Sequence, residues 1–266
     1  GQGQIIVTTS NKRYSTLVID VLVCDGSAEY PYVITTEAQL RKIGDTTIEG
    51  NKYTSDKNYR LGDNISLEVV EEGNWSPIQN FTGTFDGNFY TISNVNITDS
   101  TLKAENYENK FVGFFDKIAY NATVKNLILS NFNINVSEAI SVGAVAGLNQ
   151  GTVRTCLTFG SIEVANKVQY LGGVVGNMYV DSTATDPISP IIDRCGFEGA
   201  ITLPQTNQES SANLGGIVGK MEESQLSESY FRTTQDKVLK NYSNQFGGIV
   251  GTYSTNNKLY DSYAFF

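Results

Sequence analysis

Apolar residues in this chain come in short β-branched runs separated by glycine and asparagine, and one such block recurs. Leu171-Gly172-Gly173-Val174-Val175-Gly176 returns as Leu214-Gly215-Gly216-Ile217-Val218-Gly219 and as Phe246-Gly247-Gly248-Ile249-Val250-Gly251. Val142-Gly143-Ala144-Val145-Ala146-Gly147 is a looser copy, and Phe111-Val112-Gly113-Phe114-Phe115-Asp116 a more distant one. A segment returning at roughly 30 residues marks a repeat architecture. A second pattern, apolar-x-x-(apolar, Cys or Ser), begins at Ile92, Val124, Val153, Ile192, Leu226 and Leu259, with spacings of 32, 29, 39, 34 and 33. With an irregular earlier unit from Tyr59 to Leu67, about seven turns are expected.

The units are rich in Val, Ile, Thr, Tyr, Phe and Asn, types that favour strands, and the intervening glycines break helices. The fold class expected is therefore all-β: a right-handed, single-stranded parallel β-helix (a solenoid) of about seven coils. Coils stacked at about 4.8 Å would form a rod roughly 30 Å long. Parallel crossovers are right-handed almost without exception. In such a stack Val145, Val174, Ile217 and Ile249 form one column, and Val175, Val218 and Val250 the next. Neighbours alternate sides, so one column should face the core and the other outward or into a corner. Gly147, Gly176, Gly219 and Gly251 should line a corner with positive φ or close backbone approach.

The N-terminal region reads differently. Gln4–Thr9 and Thr16–Cys24 are strand-like runs, and Tyr32-Val33-Ile34 is a short strand. Thr36 with Gln39 three residues on fits a capping box; Leu40 and Ile43 share a helical face, and Gly44 suits the C-cap. An open solenoid end needs a cap. The expected division is residues 1–50 as N-terminal strands and capping helix, and 51–266 as the repeat domain.

Composition narrows the chemistry. The chain of 266 residues has net charge −9 and no histidine. Zero histidines exclude Ser-His-Asp and Cys-His nucleophile systems, HExxH metalloprotease sites and His-ligated catalytic zinc. No basic stripe favours nucleic acid or anionic membrane, and no apolar run is long enough to span a bilayer. The three cysteines form no CxxC. Cys156 and Cys195 hold one repeat position in successive coils, with Cα atoms expected within disulfide range. Their parallel Cβ vectors favour two reduced, buried thiols, though a bridge stays open. No cofactor or metal is expected. The opening at Gly1 suggests a mature chain whose targeting signal has been removed.

The blocks Gly-Gly-Ile-Val-Gly followed by Leu-x-x-Ser-Tyr resemble the GLUG repeat of bacterial surface proteins common in Bacteroidales. The upstream order Tyr32–Leu40, Tyr59–Leu67, Asn74–Ile78 and Phe81–Ile92 is similar to the N-terminal half of such proteins. The resemblance covers roughly residues 30–266. It implies a right-handed parallel β-helix and an exported protein at the cell surface or anchored to the outer membrane. GLUG repeats also occur in non-catalytic parts of immunoglobulin A proteases, so the resemblance implies no protease activity here.

No catalytic residues are assigned: Asp193-Arg194 is the closest local pair, and its column neighbours Lys125, Arg154, Ser227 and Tyr260 hold no carboxylate. Trp75 is expected to pack a turn onto the first coils, and Asp86 to cap its own backbone. The better place to look is a break in the repeat. The last glycine of the motif precedes the next apolar-x-x copy by six to eight residues elsewhere, but by 16 from Gly176 to Ile192. Insertions in repeats emerge on one face, often the binding face. Tyr179, Asp181 and Asp186 are the candidate ligand-binding residues there. The function expected is non-enzymatic and adhesin-like, binding glycan or a host surface protein through side loops. The rivals are a carbohydrate-active β-helix enzyme, a polysaccharide lyase or hydrolase, and a structural stalk carrying another domain. The apolar end Tyr263-Ala264-Phe265-Phe266 leaves the last coil uncapped, where a weak homodimer could form.

Overall fold

In a computed structural model, residues 24–104, 106–203, 212–233 and 245–266 are described. The strand-like run Gln4–Thr9, and Thr16–Cys24 apart from Cys24 itself, lie outside them. The regular structure is nearly all strand, arranged in three open sheets, and among the described residues every strand pairing is parallel. The first sheet stacks Tyr32–Ile34, Asn58–Leu61, Thr84–Asp86, Thr123–Lys125, Thr152–Arg154, Ile191–Asp193, Gln225–Ser227 and Lys258–Tyr260, in chain order. The second contains the long strands Ile128–Val142 and Leu157–Gly172 at its centre. The third stacks Phe115–Ile118, Ala146–Asn149, Val175–Tyr179, Val218–Glu222 and Val250–Tyr253. From Phe115 onward the chain visits third, first and second sheet in unchanging cyclic order. One such circuit is termed a layer below.

The eight strands of the first sheet are one more than the repeat count implied. The extra strand is Tyr32–Ile34, which pairs in register with Tyr59–Leu61. The buried column of this sheet runs Tyr32, Tyr59, Phe85, Val124, Val153, Ile192, Leu226. Ile92 is not in it. Ile92 pairs with Leu129 and Ile65 in the second sheet, and Phe85 fills the place assigned to it. The two sites share local geometry, which explains the mistake. The third residue of each apolar-x-x motif is left-handed: Asn126, Thr155, Arg194, Glu228 and Asp261 have φ between 46° and 54°, and Asn94 has φ 62°. The motif therefore encodes a left-handed corner, and two corners of the molecule use it.

The glycine motif also differs from expectation. Gly176 and its equivalents sit inside strands of the third sheet, not at a turn, and their φ is not positive. The bend falls earlier, at Gly173-Val174. Close backbone approach is the reason for glycine: a Cβ on Gly176 would lie 2.5 Å from Val142 N and 2.2 Å from Ser141 Oγ. Both columns are buried from Val145 to Ile217 and from Val175 to Val218, and half-buried at Ile249 and Val250, because Val174 lies in that bend and strict strand alternation fails there.

The N-terminal helix is a single turn, Glu37–Leu40, with Leu40 and Ile43 in the core. Thr36 accepts from Gln39 N as expected. The reciprocal bond differs by one residue: Gln39 Oε1 accepts from Thr35 N at 2.9 Å. Gly44 lies beyond the C-cap Arg41, and its φ of +69° lets its N–H reach Tyr53 O at 2.8 Å. Cys156 and Cys195 are free, buried thiols, and burial pushes the Cys156 thiol well up from its ordinary value. Among the described residues no helix is long and apolar enough to cross a membrane.

Candidate functional site

The insertion leaves the third sheet at Tyr179 and returns to the first at Ile191. Tyr179 is half-buried, and burial raises its hydroxyl's pKa. Asp181 Oδ1 accepts from Thr183 N at 3.0 Å and Thr183 Oγ1 at 2.6 Å. These bonds hold the exposed carboxylate below its ordinary range. Asp186 contributes its backbone: its carbonyl accepts a hydrogen bond from Tyr120 Oη. Ile118, Asn149 and Met178 pair in succession, so Tyr120 follows a strand two layers from the loop's root. The insertion thus folds back across the intervening layer, where Gln150 is buried with Oε1 unpartnered. Tyr179, Asp181 and Asp186 share this loop. Asp181 is occupied by its own turn, and Asp186 serves the loop's anchoring.

The acidic side chains of the first sheet are neutralised by position. In the column Arg60, Asp86, Lys125, Arg154, Asp193, Ser227, each carboxylate has a cationic residue next to it. Asp193 Oδ2 lies 3.1 Å from Arg154 Nε and 3.0 Å from Arg194 Nη2. Asp86 Oδ1 accepts from Asn88 N and Asn126 Nδ2, each at 2.9 Å. This places Asp86 in its own turn, as its sequence context suggested. Among the described residues no three His, Cys, Asp or Glu side chains gather as a metal site would require.

A second concavity was missed by sequence reasoning. Asn74 is fastened by three bonds: its Nδ2 donates to Glu68 O and Asn94 O, and its Oδ1 accepts from Asn96 N. This fixes the next residue, Trp75, whose Nε1 donates to Phe114 O at 3.0 Å and whose ring stacks on Phe114 at 4.5 Å. Trp75 therefore packs inward, and the Arg41 guanidinium lies over its ring, 5.8 Å from the centroid. Between this segment, the helical turn and Lys103 lies a cavity of about 330 Å³. Its floor is apolar, from Leu40, Ile43, Pro77 and Ile78, and its walls carry Arg41, Asp45, Gln79 and Lys103. A narrow extension shares Gln79 and Lys103 and reaches Asp116. Asp116 accepts from Asn80 N at 2.7 Å and from Lys117 N, yet burial outweighs these bonds and pushes its pKa up to about 6. Its wall residues are far apart in sequence and match no motif. Only the lone tryptophan two residues before Pro77 marked the place.

The fold and these sites define a nearly all-β chain of parallel sheets with concavities on its side. No protein-family model matches the chain. Over 193 residues, 68% of the chain, it is 30% identical to halomucin of Haloquadratum walsbyi; the match spans 2% of halomucin's length. Its structure is similar to the crystal structure of a Bacteroides ovatus protein provisionally assigned as an immunoglobulin A1 protease. That likeness has a TM-score of 0.56 at 15% identity and covers 90% of this chain and 76% of the other. At that identity the likeness speaks to fold alone.

Proposed function

We propose that the chain is a right-handed, single-stranded parallel β-helix of the GLUG-repeat kind, with residues 1–50 as cap and 51–266 as repeat body. It is exported, displayed at the cell surface, and non-enzymatic. It binds glycan or a host surface protein through loops on its side, the insertion at 178–190 with Tyr179, Asp181 and Asp186 foremost. The cyclic order of the three sheets and the likeness to the Bacteroides protein support the architecture. The observation that carries the binding role is the insertion itself: Gly176 and Ile192 lie 16 residues apart where the other copies have six to eight, and Tyr120 fastens the added segment two layers away. A second copy of the chain is a further partner, stacking on the last layer, where Leu259, Tyr263, Phe265 and Phe266 are exposed.

A glycan array probed with the wild-type chain and with Tyr179→Ala/Asp181→Ala tests the reading. Selective binding lost in the double variant is expected. Binding unchanged in the variant would remove the insertion from the account. Release of reducing or unsaturated ends from a polysaccharide would favour the enzyme instead.

A further inference from the structure

The cavity beside Trp75 is not part of the insertion, and its chemistry is specific. At about 330 Å³ it falls at the small end of ligand pockets, which run to about 300–1,000 Å³. Its polar groups are half engaged and half open. Arg41 uses Nε and Nη2 on Glu37 Oε1, at 2.8 and 2.6 Å, which leaves Nη1 with no partner among the described residues. Stacking over Trp75 and pairing with Glu37 hold that guanidinium in place. Asp45 spends Oδ1 on Thr47 N and Thr47 Oγ1, at 2.9 and 2.7 Å, and keeps Oδ2 open. Gln79 donates Nε2 to Pro77 O at 3.1 Å, so its Oε1 remains an acceptor. Lys103 makes no ion pair among the described residues. Ser76 Oγ, in the cavity wall, is buried with no hydrogen-bond partner, a state native proteins rarely leave unexplained.

Open donors on Arg41 and Lys103 and open acceptors on Asp45 and Gln79 therefore line one cavity together with apolar side chains. The charges nearly cancel: Arg41 is balanced by Glu37, and Lys103 faces Asp45. A net charge of −9 over the chain also opposes an anionic ligand. A neutral sugar ring fits this arrangement. Its hydroxyls both donate and accept, so adjacent pairs can bridge Asp45 and Arg41 or Gln79 and Lys103. Its C–H face can lie on Ile43 and Pro77. We propose that this cavity is a binding site for a neutral hexose unit of a glycan. The ligand class rests on the glycan-binding reading above; the location does not.

Saturation-transfer difference NMR with the whole chain tests it, using glucose, galactose, mannose and galacturonate as probes. A neutral hexose should give transfer. Asp45→Asn and Gln79→Ala should each weaken its binding about tenfold or more, while Lys258→Ala, at an exposed position in the last layer, leaves it unchanged. Both wall residues lie near the surface, and an unchanged circular dichroism spectrum certifies the fold. Hexose binding lost in the insertion variant but kept in the cavity variants overturns this site and leaves the glycan-binding reading standing. Galacturonate bound as well as the neutral sugars overturns the ligand class. No transfer to any probe overturns the site, and the array result then decides the wider reading separately.

Discussion

Thr155 occupies the left-handed corner that its equivalents fill with Asn126, Arg194, Glu228 and Asp261. A β-branched residue at φ 54° is an outlier, and the left-handed region costs non-glycine residues roughly 1–2 kcal/mol. Thr155→Asn should therefore stabilise the chain by about 1 kcal/mol, raising Tm by about 2–4 °C; thermal unfolding of the two proteins checks it. Asp116 adds a pH dependence. Its pKa rises from 3.8 to about 6 on folding, so the folded state holds the proton more tightly. Its contribution to stability is fully present below pH 3.8 and is lost as pH rises through about 6. Asp116→Asn keeps an acceptor for Asn80 N and Lys117 N and cannot ionise. The difference in Tm between variant and wild type should grow in the variant's favour between about pH 4 and 6 and level off above that. A constant difference would show that the carboxyl is ordinary.

At the scale of the elements, glycine sets how closely the second and third sheets meet. Gly176→Ala drives a methyl against the Val142 backbone and should cost about 1–3 kcal/mol or more, read from denaturant unfolding. A Cβ on Gly173 would lie 2.2 Å from Gly216 O and 2.6 Å from Phe197 Cγ; at the looser copy, Ala144, the residue in register with Phe197 one strand earlier is the smaller Thr158, which relieves the second of these contacts. The insertion is held differently: Gln225 N donates to Pro190 O at its base, and an exposed bond from Tyr120 holds Asp186 further out. Tyr120→Phe should leave Tm within about 3 °C, because a single exposed hydrogen bond contributes about 1 kcal/mol. It should speed proteolytic cleavage between residues 181 and 189; unchanged cleavage would mean that the loop is held elsewhere. Strand type and stacking period were legible in the sequence because side-chain class and spacing encode them directly. The placement of Ile92 was not, since Ser93-Asn94 builds the same corner in another sheet as Lys125-Asn126. The cavity beside Trp75 was illegible too. Its walls come from Arg41, Gln79 and Lys103, which only the path of the chain between layers brings together.

Over the whole molecule, the core changes character along the stack. The early layers are filled by Tyr59, Trp75, Phe81, Phe85, Phe114 and Phe115, and later ones by Val, Ile, Leu and Met with Phe197 stacked on Phe231. The last layer exposes Phe265 and Phe266, at 57% and 62% of their surface. These exposed aromatic rings are the surface that the proposed pairing of copies would use. Light scattering should show mass rising with concentration for the wild-type chain and a constant monomer for Phe265→Glu. A wild-type monomer at every concentration would contradict the contact. All of these features presuppose layers stacked in register. Arg60 and Tyr260 stand six pairings apart in one column of the first sheet. Spin labels on cysteines at those two exposed positions, in a Cys24→Ser background, measure the stack directly by pulsed electron resonance. Six steps at the interstrand spacing predict a single narrow distance near about 29 Å. A broad distribution, or a distance beyond about 45 Å, would contradict the stacked architecture on which the proposed function is built.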